Sequence, residues 1–131
     1  MSRVRPLVLW IVLLLMAAGM LACGLNSNLL KSLTVSPSMG QGNTHFTASG
    51  TRVNGGQVSA VSALWWNIQP WSTFPTPPPA FTIDSNGNAT CLSVAGTFLV
   101  YATAPADARV PLSQMTSSTA QVVGTAQITC P

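Results

Sequence analysis

The chain has 131 residues, enough for one domain of ordinary size. Five Lys and Arg residues face two Asp and no Glu, giving a formal net charge of +3, and 47% of the residues are hydrophobic. This hydrophobic content argues against a disordered chain. Without Arg3 and Arg5, which precede an apolar run, three cations face two anions and leave +1, so no basic patch remains and we expect no nucleic-acid partner.

The first 23 residues have the pattern of an export signal. Arg3 and Arg5 precede the apolar run 7–16 (LVLWIVLLLM), and small residues follow it. Residues 20–23 (MLAC) resemble the lipobox of bacterial lipoproteins, in which a small residue precedes an invariant cysteine. The resemblance implies that the signal is cleaved before Cys23 and that acyl chains are attached to this cysteine, an anchor that is stable when two or more chains insert into the membrane.

We therefore expect a signal peptide over 1–22, a lipidated Cys23 with a tether over 23–30, and a folded domain over 31–131. This places the protein on the membrane of a bacterial cell envelope, as an exported lipoprotein. Two alternatives stay open: an ordinary cleaved signal peptide, and an uncleaved transmembrane helix over 6–30, a stretch without charge that is long enough to cross a bilayer.

From residue 29 onward, apolar residues recur at every second position, which is the period of a β-strand. The predicted strands lie around Leu33 and Val35 and over 45–51, 58–68, 81–84, 89–92, 96–103 and 119–130. No stretch after residue 30 keeps a helical period. About seven short strands separated by turn residues predict an all-β protein, an antiparallel β-sandwich.

The alternation also predicts which side chains face the core. In the strand that begins at Gly96, Phe98, Val100 and Ala102 share one face. In the strand over 58–68, Trp66 is predicted to be in the core, and Trp65 must then face outward.

The mature region resembles the bacterial immunoglobulin-like domains of the group 2 type. The residues that match the family pattern in order are Trp66, Pro70, Ile83, Asp84, Gly87, Gly96, Thr97, Val100 and Ala102. The segment 71–80 (WSTFPTPPPA) departs from the family because it is longer and richer in proline. The resemblance covers about residues 31–130 and implies an immunoglobulin-like sandwich that serves as a surface domain, with a structural, adhesive or protein-interaction role.

Two cysteines remain once Cys23 is assigned to the anchor. Cys91 and Cys130 both lie on predicted strands, and an exported domain folds in an oxidising compartment. We therefore predict a disulfide between them; two free buried thiols are the alternative.

The sequence offers little for catalysis, and we expect neither an enzyme nor a cofactor nor a metal site. The single histidine, His45, has no supporting nucleophile motif and is interpreted as a surface or strand-end residue. Asp84 and Asp107 are the only acidic residues and lie far apart in the chain. The stretch 84–88 (DSNGN) is better explained as a hairpin turn than as a calcium loop, which needs more carboxylates.

Aromatic residues give the strongest hint of a binding surface. If Trp65 faces outward, it could form an exposed platform with Trp71 and Phe74, suited to a protein partner or to stacking on the sugar rings of a polysaccharide. In the alternative, the proline-rich run 75–79 folds over Trp65 and covers it. We therefore expect a lipid-anchored module with an interaction role, and a carbohydrate-binding module as the other possibility.

Overall fold

The computed structural model describes residues 27–74 and 77–131 and is an all-β sandwich, as predicted. The strands in chain order are β1 (Leu30–Ser36), β2 (Met39–Gln41), β3 (Thr44–His45), β4 (Thr47–Arg52), β5 (Gln57–Val58), β6 (Leu64–Trp66), β7 (Phe81–Ile83), β8 (Asn88–Cys91), β9 (Gly96–Pro105) and β10 (Gln121–Cys130). A 3-10 turn, Leu112–Gln114, lies between the last two strands. The predicted signal peptide and Cys23 lie outside the described residues. No helix in the described ranges has the length and hydropathy needed to cross a membrane.

The strands form two layers. One contains the sheets β1-β4-β5 and β3-β8-β7, which are joined where β3 continues into β4 through Phe46. The other is the four-stranded sheet β2-β10-β9-β6. Gly124 on β10 has no room for a side chain because an added Cβ would lie 2.9 Å from the carbonyl oxygen of Leu33 on β1. This close approach holds the two layers together at their edge.

The longest pairing lies between β9 and β10, antiparallel from Pro105↔Gln121 to Gly96↔Cys130. The pairing of β2 with β10 is parallel, so the sandwich is not antiparallel throughout. The chain passes from β1 in one layer to β2 in the other through Ser36 and Pro37, whose peptide bond is cis.

The core lies between the layers and follows the predicted alternation. Val100 and Ala102 are fully buried, and Phe98 packs against the same cluster from a half-buried position. The largest side chains with essentially no exposure are Phe46, Phe81, Ile128 and Val100. Inward-facing residues of both layers therefore meet as the strand period predicts.

The predicted strand over 58–68 is wrong in its extent. Val58 ends β5, which pairs with β4, whereas β6 pairs with β9 in the other layer. Residues 59–63 carry the chain between the layers, so one apolar stretch supplies two short strands. This division, together with the short strands β2 and β3, explains why the described residues form ten strands where about seven were predicted.

Candidate functional site

The candidate site is the outer face of the four-stranded sheet, which points away from the core. Side chains alternate along each strand, so those that flank the buried Val100, Ala102 and Ile128 point outward. The residues that form this outer face are Met39, Leu64, Trp66, Leu99, Tyr101, Thr103, Gln121, Val123, Thr125 and Gln127.

The predicted orientation of the tryptophan pair is wrong. Trp65 lies opposite Ala102, whose side chain is in the core, and it packs against the core cluster. Trp66 lies opposite Tyr101 and faces outward. Both positions hold the same residue type, so alternation within β6 could not decide between them; the register with β9 decides.

Trp71 lies on the outer face and is held there at two points. Its ring centroid is 5.1 Å from that of Trp66, with the planes tilted by 57°. Its Nε1 donates a hydrogen bond to Oε1 of Gln121, at 2.9 Å. Residues paired across neighbouring strands form rows that run across the sheet. Trp66 and Gln121 belong to different rows, and Thr103 belongs to the row between them. The Trp71 indole therefore spans this row, and Thr103 is fully buried although it faces outward.

The backbone of Trp71 adopts a conformation that tryptophan rarely takes. Its φ is +59°, in the left-handed region. The amide of Ser72 donates to the carbonyl oxygen of Gln69 at 3.2 Å, so Pro70 and Trp71 are the central residues of a turn. Proline second and a positive φ third fit a type II turn, in which glycine normally takes the third place. The stacking and the hydrogen bond thus offset a conformational cost of about 1–2 kcal/mol.

The structure does not bring Trp65, Trp71 and Phe74 together. Phe74 is 80% exposed, Trp71 is half-buried on Trp66, and Trp65 faces the core. Pro75 and Thr76 of the proline-rich run lie outside the described residues, and 77–79 are exposed. The platform and the proline cover both required Trp65 to face outward, and that shared premise is wrong because Trp65 faces the core. Sequence reasoning placed Trp66 in the core and so missed it as an outward-facing residue, which only the strand register could have revealed. Alternation along β9 already places Tyr101 on the face opposite Val100 and Ala102.

The outer face is uncharged and mixes apolar with hydroxyl and amide groups. Leu99 and Val123 are 45% and 46% exposed, and Met39 is 67% exposed. Thr125 and Gln127 lie beside them, exposed on β10. Such a surface can recognise a partner by shape, apolar contact and neutral hydrogen bonds rather than by charge.

Asp84 serves the turn that the sequence predicted. Its Oδ1 accepts hydrogen bonds from the amides of Asn86 (2.8 Å) and Asn88 (2.9 Å), and its Oδ2 accepts one from Nδ2 of Asn88 (2.8 Å). The Asn88 side chain is the main reason that the pKa of Asp84 lies below its usual range. Gly87 closes the turn with φ +83°. His45 is exposed on β3, and its Nε2 lies 3.1 Å from the carbonyl oxygen of Asn86.

Asp107 forms an ion pair with Arg109 in the connection between β9 and β10. Nε of Arg109 lies 2.9 Å from Oδ1 of Asp107, and Nη2 lies 2.6 Å from Oδ2. This hydrogen-bonded guanidinium lowers the pKa of Asp107 to about 2. Asp84 and Asp107 therefore both hold local structure. Within 27–74 and 77–131, no three His, Cys, Asp or Glu side chains gather where they could share a metal ion.

The predicted disulfide is confirmed. Cys91 on β8 and Cys130 on β10 are bonded, with their Cα atoms 5.5 Å apart. Because the two strands belong to different layers, the bond links the layers covalently.

Comparison of the sequence with protein-family models and with curated proteins found no match. The outer face and its Trp66–Trp71 pair therefore have to be interpreted from their own geometry.

Proposed function

We propose that this protein is a lipid-anchored immunoglobulin-like module of the bacterial cell envelope, not an enzyme, which binds a protein partner through the outer face. The observation that carries the binding role is Trp71, held in a left-handed backbone conformation across Trp66 and Gln121. A strained residue that the surrounding structure holds in place is a frequent mark of a functional position.

The composition of the outer face supports a protein partner. Aromatic residues and methionine are enriched at protein interfaces, and charged residues are depleted from their centres. Trp66, Tyr101 and Met39 provide this composition on an uncharged surface. The Trp66 and Trp71 rings pack against each other at a tilt of 57°, and both remain partly exposed on this face.

The anchor rests on the resemblance of residues 20–23 to a lipobox. Cys23→Ser should abolish labelling by radioactive palmitate and release the protein from the membrane fraction of the producing bacterium. Retention of the variant in that fraction would favour an uncleaved membrane helix. Cys91→Ser, which leaves Cys23 intact, is the control and should remain labelled.

Site-specific photo-crosslinking in cells tests the binding face. A benzophenone amino acid is placed at Leu99 on the outer face or at Leu92, which lies outside it and has nearly the same exposure, 45% against 44%. We expect a discrete protein adduct from position 99 and none from position 92. Equal adducts, or none at either position, would contradict binding through the outer face.

Carbohydrate binding is the second candidate, favoured by the hydroxyl and amide side chains of Thr125 and Gln127 near the aromatic residues. Sugar recognition commonly combines ring stacking with such hydrogen bonds. Envelope polysaccharide should then be retained by the full chain and lost in Trp71→Ala, with Phe74→Ala as the matched aromatic control. If neither variant differs from the parent, this candidate fails.

A further inference from the structure

A groove lies between the two layers at one end of the sandwich, apart from the outer face. Its volume is about 430 Å³, within the range of small-molecule sites. One wall comes from the first layer and the segment after β5, and the other from the end of β9 and the connection to β10. The apolar lining includes Leu30, Val58, Val61, Ala104, Val110 and Leu112.

The first described residues and the β9–β10 connection fix the walls of this groove. The amide of Leu30 donates to the carbonyl oxygen of Ala106 at 2.7 Å, and the amide of Ala108 donates to that of Asn28 at 3.0 Å. Leu29 also forms a β-bridge with Asp107. These bonds tie the start of β1 to the connection, so the groove is a built feature of the fold.

Arg52 is the only charged residue that lines the groove within the described part of the chain. It ends β4 opposite Leu30, so its side chain lies on the face of β4 that meets the core. Its Nε is buried and has no hydrogen-bond partner. The one ion pair among the described residues joins Arg109 to Asp107, so no described carboxylate neutralises Arg52. A cation with an unpartnered N–H in an apolar groove attracts an anion that also fills the apolar space.

We propose that the groove binds a single-chain anionic amphiphile, an alkyl chain whose carboxylate or phosphate head pairs with Arg52. The alkyl chain lies along Val58, Val61 and Val110, where burial of each CH₂ is favourable. The head pairs with the positive charge of the Arg52 guanidinium, whose half-buried side chain lines the groove. A free fatty acid and a single-chain phospholipid share this chemistry. The proposal stands independently of the function proposed for the outer face.

Photo-labelling of the full chain tests the site directly. The protein in discs of neutral lipid is irradiated with decanoate that carries a diazirine at its terminal carbon. The Cys91–Cys130 bond, which would keep two of the tryptic peptides joined, is then reduced and alkylated, and the protein is digested with trypsin. Cleavage after Lys31, Arg52 and Arg109 gives the peptides 32–52, 53–109 and 110–131. We expect label on the last two, which contain the apolar walls. Excess decanoate or decyl phosphate should compete, and the stronger competitor identifies the head group. Decanol should compete at least tenfold less well.

Two variants, with a control for charge, distinguish recognition of the ligand's head group from binding of its alkyl chain in the groove. Arg52→Gln should weaken decanoate binding by about ten- to a hundredfold, the loss expected for a charge-assisted hydrogen bond. Lys31→Gln removes an equal charge from an exposed position outside the groove and should bind like the parent. Ala108→Trp adds bulk at an exposed lining residue and should block labelling while leaving the thermal unfolding midpoint unchanged.

Four results would overturn the proposal. Equal competition by decanol, or unchanged binding in a folded Arg52→Gln variant, would show that the groove selects no anion. Absence of label in the full chain would show that the amphiphile does not bind in the groove. This holds even if the reason is that a second copy or the chain's own N-terminal residues occupy it. Label confined to 32–52 would place the ligand outside the apolar walls.

Discussion

Trp71 donates a hydrogen bond from its Nε1 to Oε1 of Gln121, 50 residues later in the chain, at 2.9 Å. Gln121 is the first residue of β10, and Trp71 belongs to the loop that follows β6. The bond therefore connects the loop after β6 to the start of β10, the two strands that flank β9. The Trp71 ring also packs against Trp66, so this loop side chain is held at two points.

The strain at Trp71 can be measured with a pair of substitutions. Trp71→Ala and Trp71→Gly both remove the ring and its hydrogen bond, but glycine adopts a positive φ without cost. We expect the glycine variant to be more stable than the alanine variant by about 1 kcal/mol in the free energy of unfolding. Urea titration followed by circular dichroism provides the measurement. Phe74→Ala, at an exposed position, should change stability by less than about 0.5 kcal/mol. A more stable alanine variant would contradict the left-handed assignment.

The turn at Gly87 should tolerate no side chain. Gly87 has φ +83°, and a Cβ added there would collide with the carbonyl oxygen of Phe46. Gly87→Ala should lower the free energy of unfolding by about 3 kcal/mol, through conformational cost and overpacking combined. Gly55 has a similar φ of +86° with nothing within 4 Å of an added Cβ, so Gly55→Ala should cost only about 1 kcal/mol. Equal losses in thermal melts of the two variants would exclude the steric contribution.

The disulfide should account for a large share of the stability. Cys91 and Cys130 are 39 residues apart, and closing a loop of this length stabilises by about 4 kcal/mol in the chain-entropy model. The variant Cys91→Ala/Cys130→Ala should lose about this amount in urea denaturation at neutral pH. Adding a reductant should destabilise the parent and leave this variant unaffected. A parent protein insensitive to a reductant that has cleaved the bond would contradict the prediction.

Acid should destabilise the fold through two carboxylates. The pKa of Asp107 is lowered to about 2 by Arg109, and the pKa of Asp84 is lowered by Asn88. A carboxylate whose pKa is lowered by folding stabilises the folded state at pH values above 3.8, its pKa in the unfolded chain. This stabilisation is lost as the pH falls through the lower pKa of the folded state. The free energy of unfolding should therefore fall between about pH 4 and pH 2.

The same pH titration of Asp84→Asn/Asp107→Asn is the matched control, because these are the chain's only side-chain carboxylates. Its stability should change little across this interval. A slope as steep as that of the parent would show that other groups cause the acid sensitivity.

The local sequence pattern was sufficient to predict much of this fold. Alternation placed Val100 and Ala102 in the core, since two-residue periodicity belongs to each strand by itself. The turn at Asp84 and Gly87 was equally readable, because its hydrogen bonds join residues at most four positions apart. The predicted export, and the two cysteines that remain of the three once Cys23 is assigned to the anchor, pointed to the Cys91–Cys130 bond.

The sequence by itself thus determined the β class, the core alternation and the acidic turn, all of which depend on neighbours along the chain. Tertiary structure alone decided that Trp66, and not Trp65, faces outward, because that choice depends on register with β9. It also placed Trp71 against Gln121 and left Arg52 unpartnered in an apolar groove. These features arise from tertiary contacts between segments that are distant in sequence. The hydrophobic periodicity within one segment contains no information about such contacts.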